Sequence, residues 1–313
     1  MNFLDRYNEV NNSFKDKCIF KVGESQGVFS EINNMIFAML YCLEHKIQFV
    51  LTSTNANFAP EKGWEEFFLP FCNQVDNKFH AKKYNIRFKD DMRKSIRRKL
   101  ISNLYKKIYR VKLTQDIFDE VYPAYADKQI NISELNLQGN TYDVIKPFAE
   151  LAWRFNPETR AEIDEVIKNF NLPEKYAAMQ MRRGDKVTIF KTTTANPDEY
   201  MAELKKITDI RDVLLLCDEY DDVKHLVDNY KDYKFYTICQ PNEHGYSNDD
   251  FQKQDWDKKR KRTIELFATV DAMLRAELFL GTDIANPYLF IKMFMDKNKF
   301  YVMEELQKKE IAV

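Results

Sequence analysis

Short apolar runs and capped helical stretches alternate through the second half of the chain, and that alternation predicts a parallel sheet with crossover helices. The apolar runs are Tyr176–Met181, Val213–Cys217, Lys234–Ile238 and Leu278–Gly281. Between them, Asn196-Pro197-x-Glu199 reads as a helix start, with a capping residue, Pro at the first position and an early acid. That helix is expected to run to about Thr208, and others over Asp221–Tyr230 and Thr263–Ala276, with a last one opened by Pro287.

The first half begins in the same way. Cys18–Val22 predicts a strand and Gly23–Gly27 a loop, with Ser30 as the cap of a helix to Leu43. Ile47–Leu51 predicts the next strand. Beyond it the pattern turns helical and irregular, over Arg93–Arg110, Gln115–Val121, Tyr142–Phe155 and Thr159–Phe170. The expected architecture is α/β, with two Rossmann-like domains facing a cleft and the N-terminal one enriched in helices. The boundary is set before Leu172-Pro173, giving domains 1–170 and 171–313.

Ligands of open parallel sheets sit beyond the carboxyl ends of strands. Three segments fall at such ends: Gly23–Gly27, Arg182–Lys186 and Gly281–Asp283. The chain has only seven glycines, and Gly23, Gly27, Gly184 and Gly281 lie in these segments. Glycine in a glycine-poor chain marks a tight turn or a close approach.

Composition narrows the function. A formal net charge of −1 argues against a nucleic-acid partner. Four histidines with no metal-ligand spacing among them predict no metal site and no histidine-based nucleophile. Five scattered cysteines predict a reducing compartment. Met1–Asn12 is polar and unlike a secretory leader, and no run approaches the about 18 apolar residues of a spanning helix. The expected localisation is cytoplasmic, with peripheral membrane contact through residues 93–110 as a further reading. Neither a Walker loop nor GxGxxG occurs.

Met181-Arg182-Arg183-Gly184-Asp185-Lys186 carries the chemistry. An Arg fork can hold two phosphate oxygens, and a nearby Lys adds a point charge. Such preorganised cations lower a barrier by roughly 3 kcal/mol per good donor when charge develops on a leaving group. Adjacent strand residues point to opposite faces, so one Arg is expected on a phosphate and the other bracing the loop. Arg183 is assigned to the phosphate, and Asp185 to an Arg or to ligand hydroxyls. A solvated charged turn is the plain alternative.

That string, followed by Pro197-Asp198-Glu199-Tyr200-Met201, resembles the donor-site motif of α1,6-fucosyltransferases and their protein O-fucosyltransferase relatives. Leu214–Glu219 resembles the family's apolar strand ending in Thr-Asp-Asp, and Ala276–Thr282 its strand ending at the nucleotide. Gly23–Tyr41 resembles its Gly-rich first turn and long helix. The resemblance covers most of Met179–Met303 and Cys18–Leu51, and little of the middle. It implies a GT-B, inverting, metal-independent transfer of a sugar from a nucleotide-sugar co-substrate to a glycan hydroxyl. GDP-fucose is favoured, with UDP-xylose or another donor open. It further implies Arg183 on the β-phosphate, Asp218 with Glu219 on the guanosine or ribose side and Thr282 at the phosphates, while the strand-end segments add Gly23, Gly27, Arg182, Lys186 and Asp283 as candidate donor contacts.

The departures are specific. Gln180-Met181 stands for His-Val, Asp283-Ile284 for Ser-Ser, and Phe190 for a Glu proposed as general base. The expected base is instead Glu31, with Glu24 as a second candidate, against the plain reading of Glu31 as a helix N-terminal acid. Asp255-Trp256-Asp257 spells DxD but follows no strand, so it reads as a polar loop. Arg93–Arg110 carries eight basic residues around an apolar stripe, which reads first as a helix packed on its own domain and second as a contact with an anionic membrane or glycan. Trp64–Phe68 and the tyrosines Tyr105, Tyr109, Tyr122 and Tyr125 read as core. The alternatives to an enzyme are an inactive nucleotide-sugar or glycan binder and an unrelated nucleotide- or nucleic-acid-binding α/β protein.

Overall fold

The computed structural model describes residues 2–24, 26–80, 84–87, 95–121, 125, 127–184 and 194–311. The expectations placed on Asp185, Lys186 and Phe190 therefore lie outside the described residues. The chain divides into two compact units, Met1–Glu158 and Thr159–Val313. The division falls twelve residues before the one read from Leu172-Pro173, so the helix that precedes that pair belongs to the second unit.

The first unit opens with helix α1 (Phe3–Ser13) and strand β1 (Asp16–Lys21). Helix α2 (Val28–Glu44) crosses to β2 (Ile47–Thr52). Helix α3 (Ile96–Tyr109), β3 (Val111–Leu113) and α4 (Thr114–Ile117) follow. A hairpin of β4 (Gln129–Ile132) and β5 (Leu137–Asn140) leads to α5 (Thr141–Val144) and α6 (Lys146–Ala152). The sheet is parallel, in the order β2-β1-β3. Helix α2 is buried almost all round, from Phe29 to Leu43, which explains a run richer in apolar residues than a one-sided helix needs.

Gly27, not Ser30, caps α2, and Ser30 lies inside its first turn with its N–H on the Gly27 carbonyl at 2.9 Å. Helix α1 escaped the sequence reading because only Tyr7 and Asn11 are buried on it. The Asn11 amide docks it to β2, donating to the Phe49 carbonyl at 2.9 Å and accepting from the Phe49 N–H at 2.7 Å. Trp64, Phe67 and Phe68 are buried, with the Trp64 and Phe68 rings stacked 4.3 Å apart, as core residues.

The second unit starts with α7 (Pro157–Phe170), whose first two residues precede the division, and β6 (Ala177–Gln180). Helix α8 (Pro197–Ile207), β7 (Asp212–Leu216), α9 (Tyr220–Asn229) and β8 (Lys234–Thr237) follow. Then come α10 (Asn248–Lys253), α11 (Trp256–Met273), β9 (Leu278–Gly281), α12 (Asn286–Lys292), β10 (Phe300–Val302) and α13 (Met303–Ile311). All five strands are parallel, in the order β10-β9-β6-β7-β8. The core takes Met179 from β6, Met201 and Leu204 from α8, Leu215 from β7 and Leu280 from β9.

Helix α8 begins as its sequence predicts. The Asn196 side chain accepts from the Glu199 N–H at 3.0 Å, and the Glu199 carboxylate accepts from the Asn196 N–H at 2.7 Å. Asp255-Trp256-Asp257 is not a loop. The Asp255 carboxylate caps α11 through the Lys258 N–H at 3.0 Å, so the basic run that follows forms the helix's first turns. Among the described residues no helix is long and apolar enough to cross a membrane.

Candidate functional site

From β6 the chain moves outward through β7 and β8, then returns to set β9 against the other edge of β6. The connections leaving β6 and β9 therefore part in opposite directions, the place where open parallel sheets form a ligand crevice. Gln180–Gly184 and Gly281–Asp283 stand at these two strand ends. They approach closely, since a Cβ built on Gly281 would lie 3.5 Å from Gln180 Cβ and 2.5 Å from the Phe279 ring. Gln180 is buried, and its amide oxygen has no hydrogen-bond partner among the described residues.

Both arginines are held by carboxylates. Arg182 pairs with Asp218 and lies over the Tyr246 ring, 5.0 Å from its centroid. Arg183 donates from Nε to Asp222 Oδ2 at 2.6 Å and from Nη1 to the Thr194 hydroxyl. Its Nη2 carries no bond among the described residues. The expected division of labour is thus altered: each guanidinium is braced by a carboxylate.

Asp218 is the hub of this loop. It accepts from the Arg183 N–H at 2.7 Å, from the Tyr246 N–H at 2.9 Å and from the Arg182 guanidinium, while the Gly245 N–H donates to its carbonyl at 2.6 Å. A carboxylate filled in this way positions the loop and has little capacity left for a ribose or base. Gly184 has φ +49°, and a Cβ there would lie 2.3 Å from the Tyr246 carbonyl oxygen. Gly245, at φ +82°, meets the Gly184 Cα in the same way at 2.6 Å. Gly245-Tyr246 follows no apolar run closely and carries no motif, although Gly245 is one of only seven glycines in the chain.

Glu219 caps α9 and takes His244 Nδ1 at 3.0 Å. With Asp221 these residues bring three possible metal-ligand atoms within 4.8 Å of one another. Spacing along the sequence gave no sign of this group, because the fold assembles it from the start of α9 and the loop that carries His244.

At the end of β9, the Thr282 hydroxyl donates to Glu304, and the Asp283 N–H reaches Glu304 Oε2 at 3.2 Å. Burial, and then the nearby Glu304 charge, hold the Asp283 carboxyl above its ordinary pKa. Glu304 was not singled out from sequence, since an acid opening a C-terminal helix reads as an ordinary dipole partner.

In the first unit, Gly23 has φ +75°, and a Cβ there would lie 2.4 Å from Ala56 Cβ. The Glu31 carboxylate accepts from the Gly23 and Gln26 N–H groups, each at 3.1 Å, and lies 3.3 Å from the Arg87 guanidinium. Both side chains of that ion pair are almost wholly buried. Glu31 thus braces the loop, with both carboxylate oxygens engaged. Glu24 accepts only from the Arg87 N–H, at 2.9 Å, among the described residues. Burial raises its pKa, with Arg87 and Lys21 pulling it down and Glu31 pushing it up.

The fold has solved counterparts. NodZ α-1,6-fucosyltransferase soaked with GDP-fucose aligns with a TM-score of 0.53 and 10% identity, over 90% of this chain and 93% of that one. Fucosyltransferase NodZ from Bradyrhizobium aligns equally well, at 0.53 and 10%, over 90% and 94%. POFUT1 in complex with GDP-fucose gives 0.49 and 11%, over 95% and 99%. No protein-family model and no curated protein matches the sequence. The NodZ likeness shows a shared α/β fold with parallel sheets, and these neighbours are fucosyltransferases, the class that the motif around Arg182 resembles.

Proposed function

We propose that this chain is a GT-B glycosyltransferase that moves a sugar from a nucleotide sugar, GDP-fucose in first place, to a hydroxyl of a glycan. One observation carries the reading. The switch point of the second unit's sheet holds two braced guanidiniums, with Arg183 Nη2 left over, beside the close turn at Gly281. A diphosphate needs such an arrangement. The NodZ structures with GDP-fucose and with GDP support the choice of ligand.

In this reaction the acceptor oxygen bonds to the anomeric carbon from the face opposite the leaving group. The bond from that carbon to the phosphate oxygen breaks, and the nucleoside diphosphate departs with the electron pair. Arg183 takes up the growing charge, with Lys186 in support. Arg182 and Asp218 hold the loop, Asp185 takes donor hydroxyls, and Gln180 offers its unpaired oxygen to the donor. The acceptor proton goes to a carboxylate, and Glu24 replaces Glu31 in that role. The transfer is inverting and needs no metal. Residues 159–313 serve the donor and residues 1–158 the acceptor.

Phe190 and the committed Glu31 favour a second reading, a relative that binds donor without turnover. Incubation with sugar-labelled GDP-fucose and a panel of oligosaccharides separates the two. Labelled glycan together with free GDP supports transfer, whereas tight donor binding with no labelled product across the panel favours the binder.

A further inference from the structure

The face that α3 turns outward is both apolar and basic. Ile96, Leu100, Leu104 and Ile108 are 78%, 64%, 58% and 62% exposed, and Tyr109 is 61% exposed. At about 100° per residue these four aliphatic positions form one stripe about 120° wide. The inward side is taken by Ser102, which accepts from the Gln115 amide at 2.8 Å, and by Tyr105, stacked on Phe79 at 3.8 Å. The stripe is therefore not the helix's packing face, and the expectation that it packs on its own domain is corrected.

Residues 96–110 include Arg97, Arg98, Lys99, Lys106, Lys107 and Arg110 and no acid. Lys99 and Arg110 fall along one edge of the stripe, and Arg97 and Lys107 project within it, while Lys106 is paired with Asp116 at 2.8 Å. Long basic side chains lay their stems on an apolar surface and send their charge outward. At about 1.5 Å per residue, 14 residues make a rod of about 21 Å, suited to lying in an interface and too short to span one.

We propose that α3 docks the protein on an anionic lipid bilayer, with the aliphatic stripe among the acyl chains and the basic edge on the headgroups. Charge selects this occupant over a second copy of the chain, because pairing two such helices would set like charges together without an acid from either. A bilayer carrying acidic lipid supplies the counter-charge.

The test is co-sedimentation of the full chain with vesicles of phosphatidylcholine alone and with about 30% phosphatidylserine. The expected result is binding to the anionic vesicles, weakened by salt, and reduced at least about tenfold in the double variant Leu100→Glu, Leu104→Glu. Both positions are exposed, so circular dichroism should match wild type and nucleotide binding should be unchanged. That second readout keeps this inference separate from the donor reading. Absence of binding by folded wild type, or equal binding by the variant, overturns the proposal. So does a self-association in sedimentation velocity that the same variant abolishes, which would assign the stripe to a second copy.

Discussion

Glu24 and Glu31 lie seven residues apart, yet Glu31 braces the loop with both oxygens and Glu24, the base we propose, accepts from the Arg87 N–H. Removing Glu31 takes a carboxylate away from the buried Arg87 guanidinium and frees the Gly23 and Gln26 N–H groups. Glu31→Ala is expected to lose about 3–5 kcal/mol of stability, read from urea midpoints. Glu24→Gln should keep the fold and cut kcat, and the acidic limb of the wild-type rate profile should lie above the ordinary glutamate range, since a base works only when ionised. Equal losses of stability in the two variants would contradict this division.

His80 offers a second test at this scale. Burial, with Lys21 adding to it against Asp76, holds its imidazole neutral down to a pKa of about 4. It lies between the Asn85 amide at 3.2 Å and the Tyr105 hydroxyl at 3.3 Å. As pH falls from about 6.5 towards about 4, the unfolded chain takes a proton that the folded chain refuses, so stability drops across that window and no further below it. His80→Gln should flatten the slope there, and an unchanged slope would reassign it to the carboxylates.

At the scale of elements, the helices and strands of the second unit were legible because capping and period agree. Asn196, Pro197 and Glu199 announce α8 within one residue of its true start. Asn196→Ala should cost about 1 kcal/mol, seen as a lower urea midpoint at an unchanged slope. Strand β9 was read to the residue. The start of α11 was missed because its first turns are exposed and basic, with no apolar period to follow. Strand β3 is three residues long and hairpin β4–β5 pairs four with four, too short for alternation to stand out. Helix α3 was read correctly as a helix but turned the wrong way, since period marks an apolar stripe without saying whether anything covers it.

At the scale of the molecule, sequence carried the parallel sheet and the positions of the strand ends, and with them the arginine loop. It did not carry the through-space partners. Asp218 read as a ligand contact and Asp222 carried no reading, and only the β6–β7 pairing brings them onto Arg182 and Arg183. Glu304, in the first turn of α13, and Tyr246, in the loop after β8, reach the site from segments that carry no motif. The strand-end arrangement is proposed to hold a nucleoside diphosphate. Calorimetric titration with GDP, GDP-fucose, UDP and UDP-xylose, with EDTA present, addresses it for wild type and Arg183→Ala. The expected result is binding of one nucleotide class, the GDP pair first, weakened roughly tenfold or more by the substitution, about 1.4 kcal/mol. No heat from any of the four with folded wild type, or equal affinity in the variant, would contradict it.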